Sequence, residues 1–288
     1  MAERIRADSA HITPSAHYTG YVWYRHQLAD PAFATAFGRW VHGCVAPINW
    51  GARIGFGLNI EDFLLQRHLL IDARLTQAIE SRGVAQVVEI ACGLSPRGRR
   101  FRERYPHLTY LEADLPPMAA RKSALLQEQG WLDGKHRVRA VDILAEQGEQ
   151  SLAALLSELD PDRPVVVITE GLVNYFQRPV IEDFWRRLAS ALRLFPEATY
   201  LTELYPDLRE HPRYRQIRWG VGLIGRLTRG GYPLHYRSAA EIEQAFTGCG
   251  FGRVEVLDPQ VDGAGLGLPT GRMPSLVRVI EARVQGLS

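Results

Sequence analysis

The stretch Gln86–Asp114, QVVEIACGLSPRGRRFRERYPHLTYLEAD, decides the fold. Gln86 to Ala91 is a short apolar, β-branched run bounded by Gly93, and from Pro96 to Tyr105 polar and apolar residues recur at helical rather than strand spacing. The segment reads as strand, tight turn, helix. His107 to Glu112 gives a second short strand ending in acid. Asp114 then falls roughly twenty residues past Gly93, the offset at which nucleotide-binding folds set a carboxylate on a ribose. The residues point to a nucleoside-bearing ligand.

Three other sites use a strand, a Gly-rich turn and a helix, and each makes a demand that can be checked. A dinucleotide fingerprint needs a second glycine two residues after the first, whereas Leu94, Ser95, Pro96 and Arg97 separate Gly93 from Gly98. A phosphate loop fits at Gly93 and Gly98, but Arg99 and Arg100 stand where its Lys and its magnesium-binding hydroxyl belong. A nucleophile elbow at Ser95 would need the backbone N–H of the next residue, and Pro96 has none. What remains is a cofactor with a ribose and no pyrophosphate, held by an acidic strand end and a close-approach glycine. S-adenosylmethionine has that chemistry.

Outward from this stretch, strands and helices alternate. Asn59 to Ser81 keeps an apolar i, i+3, i+4 rhythm, and Pro116 to Gly130, Ser151 to Asp160 and Pro179 to Leu194 read as further helices. Val138–Val141, Val165–Thr169 and Ala198–Glu203 read as strands. Val165–Thr169 is apolar throughout, as in a strand covered on both faces of a parallel sheet. The order implies an α/β, doubly wound, mostly parallel sheet of Rossmann-like type within a single domain, residues 1–288. Residues 1–60 read as an N-terminal cover: Pro31 to His42 is a helix burying Phe33, Phe37 and Trp40, and Tyr18, Tyr21, Trp23 and Tyr24 form a mobile flap before it. Residues 206–237, rich in glycine, aromatics and histidine, read as a cap insertion. A capping box at Ser238 opens a helix to Thr247, and Gly252–Leu257 and Leu276–Ala282 are closing strands. On the helix after Gly93, Arg97, Arg99, Arg100, Arg102 and Arg104 read as a solvated face, with Phe101 and Tyr105 on the buried side.

Composition narrows the classes. With 46% hydrophobic and 23% charged residues the 288-residue chain can bury a core, and a net charge of +2 lacks the basic excess of a nucleic-acid binder. Cys44, Cys92 and Cys249 are too widely spaced for a disulfide framework or a zinc site, and the histidines show no paired ligand spacing, so no metal is expected. No apolar run approaches the roughly 18 residues of a membrane span, and no secretory leader is evident, so a cytoplasmic protein without membrane contact is expected.

VVEIACGLSPR, YLEADLPPMAARK and ITEGLVNYF, in that order, resemble the leucine carboxyl methyltransferase family and its bacterial polyketide O-methyltransferase relatives, class I S-adenosylmethionine-dependent enzymes. The likeness covers roughly Arg67 to Tyr205 and departs at Ala91-Cys92-Gly93, where the family often has Gly-Ala-Gly. It implies that Arg67 grips the methionine carboxylate, a task suited to a guanidinium fork. It also implies that Glu89, Ala91 and Gly93 lie along the donor, Asp114 on the ribose, and Asp142 and Ile143 at the adenine. From the residues alone Asp142 reads equally well as a cap of the next turn. Glu170 is a candidate on two grounds, the match to the family's E-x-x-x-x-Y stretch and the cost of a carboxylate directly after a buried strand. The resemblance also implies that the N-terminal segment helps close the active site.

Three functions stay open. One is methyl transfer to an oxygen of a small-molecule acceptor, a polyketide-type carboxylate or hydroxyl. The second is a nucleotide-dependent enzyme with a degenerate phosphate loop, and the third a catalytically silent binder on the same fold. A carboxylate acceptor is already ionised at neutral pH and needs no base, whereas a phenol would. Tyr21 and Tyr175 are candidates for orienting an acceptor, and His26 and His235 for a base. Oligomeric state is not legible.

Overall fold

The computed structural model describes residues 13–207, 233–271 and 274–285. Helices α1 (Thr13–Arg25), α2 (Ala36–Phe56) and α3 (Ile60–Arg82) precede strand β1 (Gln86–Ile90). There follow α4 (Arg97–Arg104), β2 (Thr109–Asp114), α5 (Pro116–Glu128), β3 (His136–Ala140), α6 (Leu152–Leu156) and β4 (Val165–Thr169). The rest is α7 (Arg178–Leu192), β5 (Glu197–Leu204), α8 (Ala239–Gly248), β6 (Arg253–Leu257), α9 (Pro259–Asp262) and β7 (Arg278–Gln285).

The strands form one seven-stranded sheet in the order β3-β2-β1-β4-β5-β7-β6. β1 to β5 run parallel, and β7 is antiparallel to both β5 and β6. This is the doubly wound, mostly parallel architecture. The chain steps from β1 out to β3 and returns to lay β4 on the other side of β1, so the topological switch point lies between β1 and β4, where open α/β sheets place their ligands.

Both faces of the sheet are covered because its side chains alternate. Val88, Ile90, Val165 and Val167 pack with Leu155, Phe184, Trp185 and Phe246 beneath α6, α7 and α8. Val87, Val166, Ile168 and Leu201 meet Leu70, Ile71, Leu75 and Phe101 of α3 and α4. α3 begins with a capping box, Asn59 accepting from the Asp62 N–H and Asp62 from the Asn59 N–H, and ends where Gly83 adopts φ 66°.

The N-terminal sixty residues differ from the sequence reading. The flap containing Tyr18 to Tyr24 is helix α1, and Tyr18 and Trp23 are buried. The segment Pro31–Phe33 is a single 3-10 turn; the long helix starts after Thr35, whose hydroxyl accepts from the Gly38 N–H, and it runs through Pro47. α1 and α2 cross at Gly38, where a Cβ would stand 2.2 Å from the His17 carbonyl oxygen. That contact turns Val41 and Val45 inward and leaves Phe37 and Trp40 exposed, with only Phe33 buried as expected. Most of the expected cap at 206–237 lies outside the described residues.

Candidate active site

The site is built at the carboxyl ends of β1, β2, β3 and β4. After β1 the chain turns sharply: Ala91 has φ 56° and Gly93 φ 49°, so two of three consecutive residues are left-handed. Asp114, the last residue of β2, fastens this turn. Its Oδ2 accepts from the Gly93 N–H (2.7 Å) and its Oδ1 from the Leu115 N–H (2.7 Å). Burial outweighs these bonds and moves its pKa upward. From below, Lys122 donates to the Ser95 carbonyl (2.6 Å) and pairs with buried Glu112, which also meets His136 Nε2 (2.7 Å). Gly98 is forced by the same group, since a Cβ there would come 2.3 Å from Glu112 Oε1. The second glycine of the half phosphate loop therefore rides over a carboxylate, the wrong charge for a phosphate cradle.

Asp142 follows β3, and its Oδ1 accepts from the Leu144 N–H (2.9 Å), so it caps the next turn; Ile143 beside it is buried. α1 lies over the β1 turn. Ala16 would be 3.2 Å from a Cβ on Gly93, Gly20 packs on Leu94, and Tyr175 donates to the Ser15 hydroxyl (3.2 Å).

On the α3 side of the switch point lies a buried ionic layer. Arg67 Nε donates to Glu170 Oε1 (3.0 Å) and Nη1 to Glu203 Oε1 (3.2 Å), which also accepts from the Gly171 N–H (2.7 Å). Glu170 Oε2 meets His68 Nδ1 (2.8 Å) and Arg97 Nη2 (2.6 Å). Arg97, with no exposed surface, reaches Asp72 (2.6 Å) through Nε and Glu89 through Nη1, and the Tyr110 hydroxyl donates to the other Glu89 oxygen (2.8 Å). Burial opposes every charge in this layer, yet the neighbours decide the outcome. His68, Arg97 and Arg67 hold Glu170 well below the ordinary carboxylate range, and Asp72, Glu89 and Glu170 hold Arg97 well above its usual value. Glu203 behaves differently: burial prevails over Arg67 and pushes its pKa up to about 7.

Several residues fall elsewhere than the sequence implied. Arg97 is not on a solvated face, because Asp72, Glu89 and Glu170 converge on it from α3, β1 and the loop after β4. Glu89, two residues before Ala91, has both its oxygens engaged in that layer. Tyr21 faces Tyr24 and His42, between α1 and α2. His26 lies ten residues beyond Ala16, about 15 Å along the helix direction, and contacts Glu61 (3.2 Å). His235 is buried with Nε2 donating to the Phe176 carbonyl (2.7 Å), and burial lowers its pKa. His235 thus contacts Phe176, the residue next to Tyr175, while His26 lies on the Glu61 side of α1. Arg74 and Arg82 pair with Glu281 on β7, two strands beyond β4, which leaves Arg67 as the α3 arginine at the switch point. Sequence reasoning missed His68, Arg97 and Glu203. Among these only Glu203 carried a signal, an acid near the carboxyl end of a buried strand.

Comparison with known proteins fits this geometry. The model of the leucine carboxyl methyltransferase family matches residues 50–189. The chain is 24% identical over 128 residues to the S-adenosyl-L-methionine-dependent methyltransferase dpfgK of Gibberella zeae, covering 44% of this chain and 41% of the relative. It is 32% identical over 96 residues to Rv1896c of Mycobacterium tuberculosis, whose name assigns it to the same class, covering 33% and 31%. The chain thus spans less than half the length of the curated relatives it matches. In fold it is similar to a Thermobifida fusca protein described as a methyltransferase (14% identity, 94% of each chain, TM-score 0.60). It is also similar to a DUF574 family protein of Streptomyces avermitilis (14% identity, 95% and 97%, TM-score 0.59). Sheet order and these likenesses define the Rossmann-like methyltransferase fold. Over residues 50–189 the chain is similar to the leucine carboxyl methyltransferases, and the curated relatives it matches in part are named as S-adenosyl-L-methionine-dependent methyltransferases.

Proposed function

We propose that the chain is an S-adenosylmethionine-dependent O-methyltransferase acting on a carboxylate of a small, polyketide-type acceptor. The observation that carries the reading is Asp114, a carboxylate at the β2 end fixed by the Gly93 and Leu115 N–H groups beside the switch point. A carboxylate so fixed is pre-oriented to accept from paired ribose hydroxyls. Arg67 would hold the methionine carboxylate, Asp142 and Ile143 the adenine, and Ala91 and Gly93 would let backbone approach. Glu170 and, through Arg97, Glu89 orient Arg67 and the turn rather than the acceptor. The bound donor supplies an activated methyl group on a sulfonium. The protein's part is to hold the acceptor oxygen in line and to exclude water under α1, and positioning alone supplies roughly 7–11 kcal/mol. Tyr175, tied to Ser15, is the residue best placed to orient an acceptor. The His235 ring is committed to the Phe176 carbonyl and His26 contacts Glu61, so an acceptor ionised at neutral pH, which needs no base, suits the site best. The free cysteines Cys44, Cys92 and Cys249 suit a reducing cytoplasm.

Calorimetric titration with S-adenosylhomocysteine and, separately, ATP tests the donor. Binding of the first alone is expected; binding of ATP alone would sink the reading. Labelled-methyl incorporation into carboxylate and hydroxyl acceptors then tests the chemistry.

A further inference from the structure

Arg67 divides its guanidinium between two carboxylates that are not equally provided for. Glu170 has His68 and Arg97 besides Arg67. Glu203, near the end of β5, has one cation in direct contact among the described residues, Arg67, and shares it; the Gly171 N–H supports the same oxygen. Its Oε2 is buried and has no hydrogen-bond partner among the described residues. An ionised carboxylate with an orphaned, dry oxygen is costly. If Arg67 also receives a ligand's carboxylate, one guanidinium faces three anions. Among the described residues the groups facing Glu203 are Arg67 from α3, Arg97 from α4, Glu170 after β4, Tyr200 on β5 and Tyr205 after it. Of the two acids on Arg67, Glu203 is the one that can discharge.

We propose that Glu203 is a positioning residue that links donor binding to a proton: solvent protonates its Oε2 as the donor's methionine carboxylate engages Arg67, so the guanidinium charge passes from Glu203 to the ligand. This rests on the reading of the chain as an S-adenosylmethionine-dependent enzyme. The proton comes from bulk buffer and returns to it on release, and no bond other than O–H is made. Burial already pushes the Glu203 pKa up to about 7, and an added anion raises it further. The sign follows: below that value the residue is protonated and the ligand binds without uptake, while above it binding must draw in a proton and affinity falls. One linked proton limits the fall to about tenfold per pH unit.

The test is calorimetric titration of the full chain with S-adenosylhomocysteine from pH 6 to 9, in buffer pairs of different ionisation enthalpy, for wild type, Glu203→Gln and Glu203→Asp. Wild type is expected to take up close to one proton more than Glu203→Gln at pH 8, which removes the ligand's own ionisation from the comparison. Its affinity is expected to fall several-fold more between pH 7 and 8.5. Glu203→Asp keeps a titrating carboxyl and should restore the slope. A merely structural Glu203 would lower the thermal midpoint of the Gln variant and leave proton counts equal, and equal counts with equal slopes overturn the proposal. If the Gln variant does not fold, a wild-type uptake no greater than the ligand's own ionisation gives overturns it equally. Failure of wild type to bind S-adenosylhomocysteine at any pH would instead remove the donor reading beneath it.

Discussion

Replacing Arg97 by Met separates two views of the helix after Gly93. A solvated arginine could be lost within about 0.5 kcal/mol. Arg97 instead has no exposed surface and neutralises Asp72, Glu89 and Glu170. Removing one member of a buried ion pair costs about 3–5 kcal/mol, because the partner is left charged and dry. Arg100 still reaches Asp72, and His68 with Arg67 still reach Glu170, so Glu89 bears most of the loss and the expected cost is about 4 kcal/mol, the middle of that range. In urea unfolding at pH 7, with m about 3 kcal/mol/M, the midpoint should drop by about 1.3 M. The sign with pH is also fixed. Asp72 and Glu170 have depressed pKa values in the fold, so their contribution is present above the unfolded values near 3.8 and 4.5 and is lost as pH falls through the folded ones. The gap between wild type and variant should therefore be widest at neutral pH and close as the medium turns acid. A loss under 1 kcal/mol at pH 7, or a gap that widens toward pH 4, would refute the buried ionic layer.

Three further outcomes are expected. Asp114→Ala should weaken S-adenosylhomocysteine binding at least tenfold, since a charged hydrogen bond is worth roughly 1.5–3 kcal/mol; an unchanged dissociation constant would remove Asp114 from the site. Gly98→Ala should lower the thermal midpoint by several degrees, as its Cβ would have to displace Glu112 from 2.3 Å, and an unaltered melt would contradict that close approach. At saturating donor, kcat should be flat between about pH 6 and 9 for a carboxylate acceptor; a slope of one that vanishes in His26→Ala or His235→Ala would mean a base and a hydroxyl acceptor.

The sheet was legible because its signals are local. An apolar run ending in glycine, a helix, and an acid closing the next strand suffice for β1 to β2, and the unbroken Val165–Thr169 run for the central β4. α2 was misread because its inward face is chosen by Gly38 against His17, a contact between helices that no periodicity encodes. The ionic layer was hidden for a related reason. The acids that bury Arg97 come from positions 72, 89 and 170, and only the winding of the sheet brings them to one point. Counting charges along one helix could show neither that convergence nor the sharing of Arg67 by Glu170 and Glu203.

The acids of that layer also fix how the protein responds to heat and cold. Glu89 stands beside Glu112 in the β1–β2 register, and Glu255 beside Glu281 in the β6–β7 register, so like charges neighbour one another across the sheet, and arginines and a lysine from the flanking helices, with Arg253 and Arg283 of the strands themselves, make this tolerable. Hydration of charged groups has a strongly negative entropy, so keeping them dry grows less costly on warming while the gain per area from apolar burial levels off. Chilling therefore weakens the sheet's support in two ways at once, its apolar packing through a fading driving force and its buried ion pairs through water's growing claim on their charges.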